Sequence, residues 1–452
     1  MEIIKKIQNR RGAQLHIKGS AEKVFTKLPP ITRFALTPDD FFGTIPKLIK
    51  KEGEKVQAGE AVFYSKNNPQ IQFVSPTSGT IETIQRGARR KIEKIIIKST
   101  DSKESVRHEV KNWEKMSRED LKSLLMQSGN WPFIKQRPYG TIANPEDTPK
   151  AIFVSTHSTC PLAPDFDFIL SNDTEAFQQG ISVLNQLTDQ AVFLGSDASF
   201  PGIFEQIKEV QHYTISGPHP SGNISLHIQE LAPLNMGDRV WVVQPEDVAN
   251  MGRFIMTGQY SAKRTLTIAG NSVEQPKYVT TKMGAELGPI LNEFKLRYPQ
   301  NRVINGDVLT GIATAADEFI GYYNNQITVI PEGNEYRMFG WLPFKDNHVL
   351  SLSNTSFSRL FKKKDFEVNT NLNGEERALV VTGEMEKVFP LDIYPMQLLK
   401  ACLVEDIEKM EALGIYEVVP EDFGLIDYAN TSKIEAQEII REGIELMIKE
   451  VG

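Results

Sequence analysis

Two cysteines in 452 residues are too few for an iron–sulfur cluster, which takes about four thiolates. Cys160 and Cys402 lie far apart, and neither has a C-x-x-C partner. Sparse cysteine also fits a reducing compartment. Seven histidines add little metal-binding capacity, since no carboxylate or thiol completes a recognisable zinc set around them. No window holds the ~18 apolar residues of a membrane span, so any membrane role is expected to be peripheral. The start, MEIIKKIQNRRG, lacks the apolar core of an export signal. Positive charge is short as well. A net charge of −7 argues against nucleic acid as the main partner. No G-x-G-x-x-G follows a strand and there is no Walker sequence, so nucleotide binding rests on a weak loop between Gly195 and Gly202. No Ser-His-Asp arrangement has supporting context.

What is there is a chain long enough for three or four domains, with the 40% hydrophobic content of an ordinary soluble protein. Residues 43–98 alternate short β-branched runs with turn signals at Gly53, Gly59, Asn67-Asn68-Pro69 and Ser78-Gly79, which predicts a hairpin-rich β unit. The unit resembles a lipoyl- or biotinyl-carrier module. Such modules hold a lysine at a hairpin tip, between an acid and a small or apolar residue. Here the tip reads Tyr64-Ser65-Lys66-Asn67-Asn68-Pro69, so Lys66 has the wrong neighbours and is expected to be a solvated turn lysine. A carrier shape that carries nothing suggests a module kept for docking. The basic stretch Arg86 to Lys94 is read as a solvated hairpin edge, the alternative being a phosphate-rich surface.

Residues 27–42, KLPPITRFALTPDDFF, bring Phe34, Phe41 and Phe42 close together, as core or interface packing or as a quinone or lipid contact. Ser117 and Asp120 open a helix that ends near Gly129. From residue 151 the texture turns α/β. AIFVST, AVFLGS and HYTISG read as buried strands, and TEAFQQGISVLNQL and SFPGIFEQIKEV as helices, which implies a mostly parallel sheet. Ligands in such sheets bind at the carboxyl ends of strands. Those ends carry His157, Asp197 and the loop SGPHPSGNISLHI, with Gly217, His219 and His227. A histidine there could protonate a reduced quinone oxygen, against the plainer reading of a rigid structural loop. Residues 265–311 return to short strands around a predicted helix, GAELGPILNEF. PMQLLKACLVEDIEKMEALG presents Leu398, Leu399, Cys402, Leu403, Ile407 and Met410 as one stripe, with Cys402 a core residue. Ser432 and Glu435 predict a capping box before the last helix.

The expected organisation is an α+β multidomain chain. Residues 1–100 hold an N-terminal segment and a barrel-sandwich, lipoyl-like module. Residues 101–260 hold a linker helix and a Rossmann-like α/β domain. Residues 261–375 form a β-grasp, SLBB-like domain with an extension, and 376–452 a helical region.

This order, with PKLIKKEGEKVQAGEAVFYSKNNPQIQFVSPTSGTI, the GPHP loop, AGNSVEQPKYVTTKMGAEL, VINGDVLTGIATAADEFIGYYNNQITVIPEGNEYRMFGW and EKVFPLDIYPMQLLKACLVEDIEKMEALG, resembles the NqrA family of sodium-translocating NADH:quinone oxidoreductases. It also resembles the flavin-bearing subunit of respiratory complex I and the electron-transfer protein RnfC, but it lacks the flavin loop of the first and the cysteine motifs of both. The resemblance implies a peripheral subunit on the cytoplasmic face of the bacterial inner membrane. It would dock on the quinone-end membrane subunit of a six-subunit complex that oxidises NADH, reduces ubiquinone or menaquinone and pumps sodium. It implies no cofactor bound by this chain, with FAD, FMN, riboflavin and a 2Fe-2S cluster in other subunits. Phe34, Phe41, Phe42, His157, Gly217, His219 and His227 are the candidate quinone-region residues. A docking subunit without a quinone site, and a nucleotide- or carrier-dependent enzyme, are the alternatives. Intact mass of the chain purified from cells is expected to equal the sequence mass; an added lipoyl or biotinyl group would show Lys66 to be a carrier lysine.

Overall fold

In the computed structural model, which describes residues 2–100, 102, 104–200, 202–333, 349–352 and 365–452, the β-branched runs near the N-terminus make two small sheets. One orders Arg33–Leu36, Ile92–Ser99, Gly79–Arg86 and Lys55–Val56. The other orders Pro46–Leu48, Ala61–Ser65 and Gln72–Val74. All pairings are antiparallel. Val62, Phe63, Phe73, Ile81, Ile95 and Ile97 enter one apolar core. Lys66 is exposed at the tip after Ala61–Ser65, its amide held by the Ile45 carbonyl at 2.8 Å.

The second body is built on a seven-stranded sheet. Its order is Ile3–Gln8, Gln211–Ser216, Val192–Asp197, Ala151–Ser155, Val240–Val243, Ile134–Arg137 and Thr141–Ile142. The first five strands run parallel, and the last two pairings are antiparallel. Neighbouring residues of one strand serve opposite cores. Ile152, Val154 and Leu194 pack with Phe177 and Leu184 of helix Thr174–Gln186 and Phe254 of helix Pro245–Thr257. Phe153, Phe193 and Tyr213 pack with Ile224 and Ile228 of helix Ile224–Leu231. Coverage of both faces is why these strands are continuously apolar rather than alternating. Ser117 caps helix Arg118–Gln127 as expected, accepting from the Asp120 amide at 3.1 Å. Among its described residues, SFPGIFEQIKEV is not an α-helix. It holds only the 3-10 turn Gly202–Gln206, because Gly202 and Glu209 take positive φ and Asp167 captures the Ile203 amide.

The third body orders Ile312–Thr314, Asn301–Asn305, Gln326–Pro331, Lys263–Ala269, Lys277–Lys282 and Glu22–Thr26 in one sheet. Its helix, Leu287–Leu291, has five residues and is shorter than GAELGPILNEF predicts. The N-terminal segment therefore feeds three sheets: Ile3–Gln8 the second body, Glu22–Thr26 the third and Arg33–Leu36 the first.

The C-terminal region is helical, and one predicted helix is two. Glu405, at φ 56, breaks the stripe between Pro395–Leu403 and Ile407–Ala412. Leu398, Leu399, Cys402 and Met410 stay in the core, Ile407 is half-buried and Leu403 turns outward, 54% exposed. Burial pushes the Cys402 thiol up to about 12, as suits a packing residue. Ser432 does not cap the last helix, Ala436–Glu450. Its hydroxyl goes to the Ala378 carbonyl, and Asp427 of the preceding helix accepts the Ala436 amide at 2.6 Å. Residues 334–348 and 353–364, which include NEYRMFGW and half of the variable stretch 345–376, lie outside the described residues.

The second and third bodies are joined by a charge with no water around it. Arg264, 0% exposed, donates to Asp247 at 2.7 Å and to the Tyr322 carbonyl at 2.9 Å. Beside Asp247, Glu246 accepts the Thr265 amide at 3.0 Å and the Asn325 amide group at 2.6 Å. Removing one partner of such a set strands a buried charge. Arg264→Met is expected to destabilise the chain by about 3–5 kcal/mol in urea unfolding, and Arg264→Met with Asp247→Leu to recover part of that loss.

Candidate functional site

The three phenylalanines of residues 27–42 go to three different places. Phe41 is in an aromatic core, 4.4 Å from the Phe73 ring and 4.8 Å from Tyr322. Phe42 lies under the Arg441 guanidinium, 4.0 Å from its ring centre, against the C-terminal helices. Phe34 lines an open groove of about 540 Å³ between the first and third bodies.

That groove has an apolar wall and a polar one. Phe25, Leu28, Ile31 and Phe34 supply the first, and Thr77, Ser99, Thr280 and Thr281 supply hydroxyls. Lys282 closes it, at the end of strand Lys277–Lys282. Its amine donates to the Thr77 hydroxyl at 3.2 Å and lies 5.8 Å from the Phe34 ring centre. The walls strip part of the water from this amine, which lowers its pKa below the ordinary lysine value. The groove can take a flat apolar body and offer hydrogen-bond donors to its polar edge. Lys282 was not legible as a site residue. In KYVTTKMG it is one polar residue of an alternating strand, and only the packing of residues 25–34 beside it makes a wall.

The histidines gather elsewhere, at the carboxyl ends of the parallel strands. His157 Nδ1 lies 3.2 Å from the Asp197 carboxylate, and His219 Nδ1 lies 3.2 Å from the Thr159 hydroxyl. Thr159 also accepts the Gly222 amide at 2.8 Å, which ties the two loops together. The Nε2 atoms of His157 and His219 are buried and have no hydrogen-bond partner among the described residues. Burial lowers both pKa values and favours neutral rings. His227 is structural. Its ring is held on both sides, by Tyr213 at 2.9 Å and the Ser221 carbonyl at 2.8 Å, and burial pushes its pKa down to about 3. Gly217 has a positive φ, and a Cβ there would strike the Asn9 carbonyl, so the loop is pinned to the N-terminal strand. The C-terminal region pins it from the other side: Asp422 accepts from the Ser225 hydroxyl at 2.6 Å and from Asn223 at 3.1 Å. The structure thus brings His157, Gly217, His219 and His227 together and leaves Phe34, Phe41 and Phe42 apart from them.

A buried polar centre also escaped the sequence. Tyr260 and Tyr322 share a hydrogen bond at 2.8 Å, and Tyr323 donates to the Pro132 carbonyl at 2.6 Å. The Lys135 amine sits 3.7 Å from the Tyr323 ring centre, and Asp40 accepts the Tyr322 amide at 2.9 Å. Loss of water raises the Asp40 pKa to about 6 and lowers that of Lys135. Four separate stretches of chain meet here, which no single motif announces. Among the described residues, no group of three or more His, Cys, Asp or Glu could hold a metal ion, and no helix is long and apolar enough to cross a membrane.

The architecture defines a class: a modular α+β chain with a barrel-sandwich module first, an α/β domain second, a mixed domain third and helices last. Family profiles agree with each of the first three. The NqrA N-terminal barrel-sandwich hybrid domain matches residues 7–100, the NqrA second alpha/beta domain 116–260 and the NQRA C-terminal domain 265–316. NqrA of the Na(+)-translocating NADH-quinone reductase of Neisseria gonorrhoeae (strain NCCP11945) is 34% identical over 448 residues, 98% of this chain and 100% of that one. The protein of the same name from Yersinia pestis is 34% identical over 441 residues, 96% and 98% of the two chains. The chain belongs to this NqrA family. A solved NAD+-reducing [NiFe]-hydrogenase in the H2-reduced state aligns over 77% of this chain and 67% of its own, at 12% identity and a TM-score of 0.38, too low to inform the fold.

Asp422 gives a pH test of how the helical region holds the histidine loop. Burial raises its carboxyl pKa from 3.8 to about 6. Between these values the folded chain keeps a proton that the unfolded chain releases. The stabilising contribution is therefore complete below pH 3.8 and is lost as pH rises through about 6. The stability of the native chain relative to Asp422→Asn is expected to fall by roughly 2 kcal/mol between pH 4 and pH 7 in urea unfolding.

Proposed function

We propose that this chain is a peripheral subunit of a sodium-translocating NADH:quinone oxidoreductase and contributes a quinone-binding groove to its terminal step. The groove around Phe34 and Lys282 carries this reading. A quinone ring is flat and apolar with an oxygen at each end. Phe34, Phe25 and Ile31 suit its faces, and the Lys282 amine and the Thr77 hydroxyl suit an oxygen. A lysine with a lowered pKa parts with its proton more readily, so Lys282 Nζ can supply one to a reduced quinone oxygen. Electrons reach the quinone from the flavins and the 2Fe-2S cluster of other subunits. At the cytoplasmic face of the inner membrane, the chain docks on the quinone-end membrane subunit. In this reading the parallel part of the large sheet is a Rossmann-like domain without a phosphate loop, and the third sheet is a β-grasp, SLBB-like domain. Ubiquinone and menaquinone both fit the chemistry of the groove.

Calorimetric titration of the full chain with a short-chain ubiquinone tests the site. Saturable one-site binding is expected, weakened about tenfold or more by Phe34→Ala and by Lys282→Met, a loss of roughly 1.4 kcal/mol. Absence of saturable binding would favour a docking subunit without a quinone site of its own. Weakening by His219→Ala alone would move the site to the strand-end loops.

A further inference from the structure

The chain is acidic, but its first body is not. Residues 43–98 hold eleven lysines and arginines against five glutamates, a net +6, which leaves −13 on the rest of a −7 chain. Part of this excess is arrayed on one face. Pro46–Leu48 is an edge strand of the three-stranded sheet. Ile45 and Lys47 share one side about this strand, and Ile49 and Lys51, just past its end, continue the exposed run at every second position. Ile45 is 50% exposed and Ile49 44%. Lys66, exposed, follows Ser65 in the antiparallel register and so lies opposite Ile45, its amide bonded to the Ile45 carbonyl. Tyr64, half-buried, lies opposite Lys47 on the next strand.

Acidic residues nearby are engaged with the module itself. The Glu54 carboxylate takes the Lys51 amide at 2.9 Å, the Glu52 carboxylate takes the Ile84 amide at 2.6 Å, and Glu60 pairs with Lys50. Lys47, Lys51 and Lys66 have no carboxylate partner among the described residues. The hairpin tip of the other sheet adds Arg86, Arg89 and Arg90, all exposed.

We propose that the first body docks on anionic phospholipid headgroups through the stripe Ile45, Lys47, Ile49, Lys51 and Lys66. Charge complementarity selects this occupant. The cores of protein interfaces are depleted of lysine and built on continuous apolar and aromatic area. Here lysines interrupt the apolar side chains at every second position. A lipid headgroup layer accepts that pattern, because each ammonium meets phosphate while its stem and the neighbouring isoleucine enter the apolar boundary. The +6 body opposite a −13 remainder would also turn this face toward a negative surface before contact. The site requires no quinone and stands apart from the groove.

The test is co-sedimentation of the purified full chain with phosphatidylcholine vesicles, with and without phosphatidylglycerol, at low and high salt. Binding is expected only with phosphatidylglycerol, weakened by salt. Lys47→Glu with Lys51→Glu is expected to lower it about tenfold or more, and Ile45→Ser with Ile49→Ser to remove the part that survives salt. Circular dichroism of each variant separates lost binding from lost folding. Equal binding to neutral vesicles, no binding at all, or unchanged binding by the folded Lys47→Glu, Lys51→Glu variant would overturn the proposal. If that variant binds vesicles normally but fails to co-purify with partner subunits, the stripe faces an acidic protein instead, and the proposal also falls.

Discussion

Arg264 is the constraint on which the arrangement of the domains depends. A guanidinium with no exposed surface is costly unless fixed partners meet it, and here Asp247 and the Tyr322 carbonyl do. Asp247 comes from the helix that closes the α/β domain, and Tyr322 and Asn325 come from the third body. The pair therefore favours the relative placement of the two domains that keeps these contacts. Apolar packing by itself would allow small slides, whereas a buried ion pair does not. The tyrosines that surround it extend the same fixed contact to Phe41 of the first body and to Phe133 of the α/β domain.

The N-terminal segment supplies the second set of ties. By contributing one strand to each of three sheets, it converts a short stretch of sequence into a clamp. The groove depends on this clamp. Phe25 leaves the strand that edges the third sheet and Phe34 lies in the strand that edges the first, so the segment between them spans the gap and becomes one wall. Lys282 closes the other. In the same way, the loop with His219 is held by Asn9 and Gly12 from one side and by Asp422 from the other. The groove and the histidine loop both lie where domains meet, which is the usual place for small-molecule clefts.

Quinone binding and membrane docking would use different surfaces and different chemistry. One rests on a groove with few donors and an apolar wall, and the other on an exposed stripe of alternating lysine and isoleucine. The stripe belongs to the carrier-shaped module, whereas the groove is lined mostly by residues 25–34 and the strand that ends at Lys282. His157 and His219, with one buried nitrogen each lacking a partner among the described residues, are the other chemical resource of the fold. Family membership places the chain within a quinone reductase without assigning a task to either region.

Sequence by itself determined the order of modules, because strand and helix periodicity is local and survives without tertiary context. AIFVST, AVFLGS and HYTISG are strands, Ser117 caps its helix, and Cys402 is core, all as read. It erred where a single backbone angle or a distant capture decides the outcome. Glu405 in the left-handed region splits one helix into two, Gly202 and Asp167 stop another from forming, and Asp427 takes the capping role that the pattern assigns to Ser432. Only the tertiary structure decided the fate of Phe34, Phe41 and Phe42. Adjacency in sequence sends successive strand and turn residues to opposite faces and different bodies, so three neighbouring rings end in three different places. It also decided the groove, because Lys282 and Phe34 are far apart in the chain and meet only after two sheets have packed. Pairings of that kind carry no local signal, since the physical cause is the contact itself.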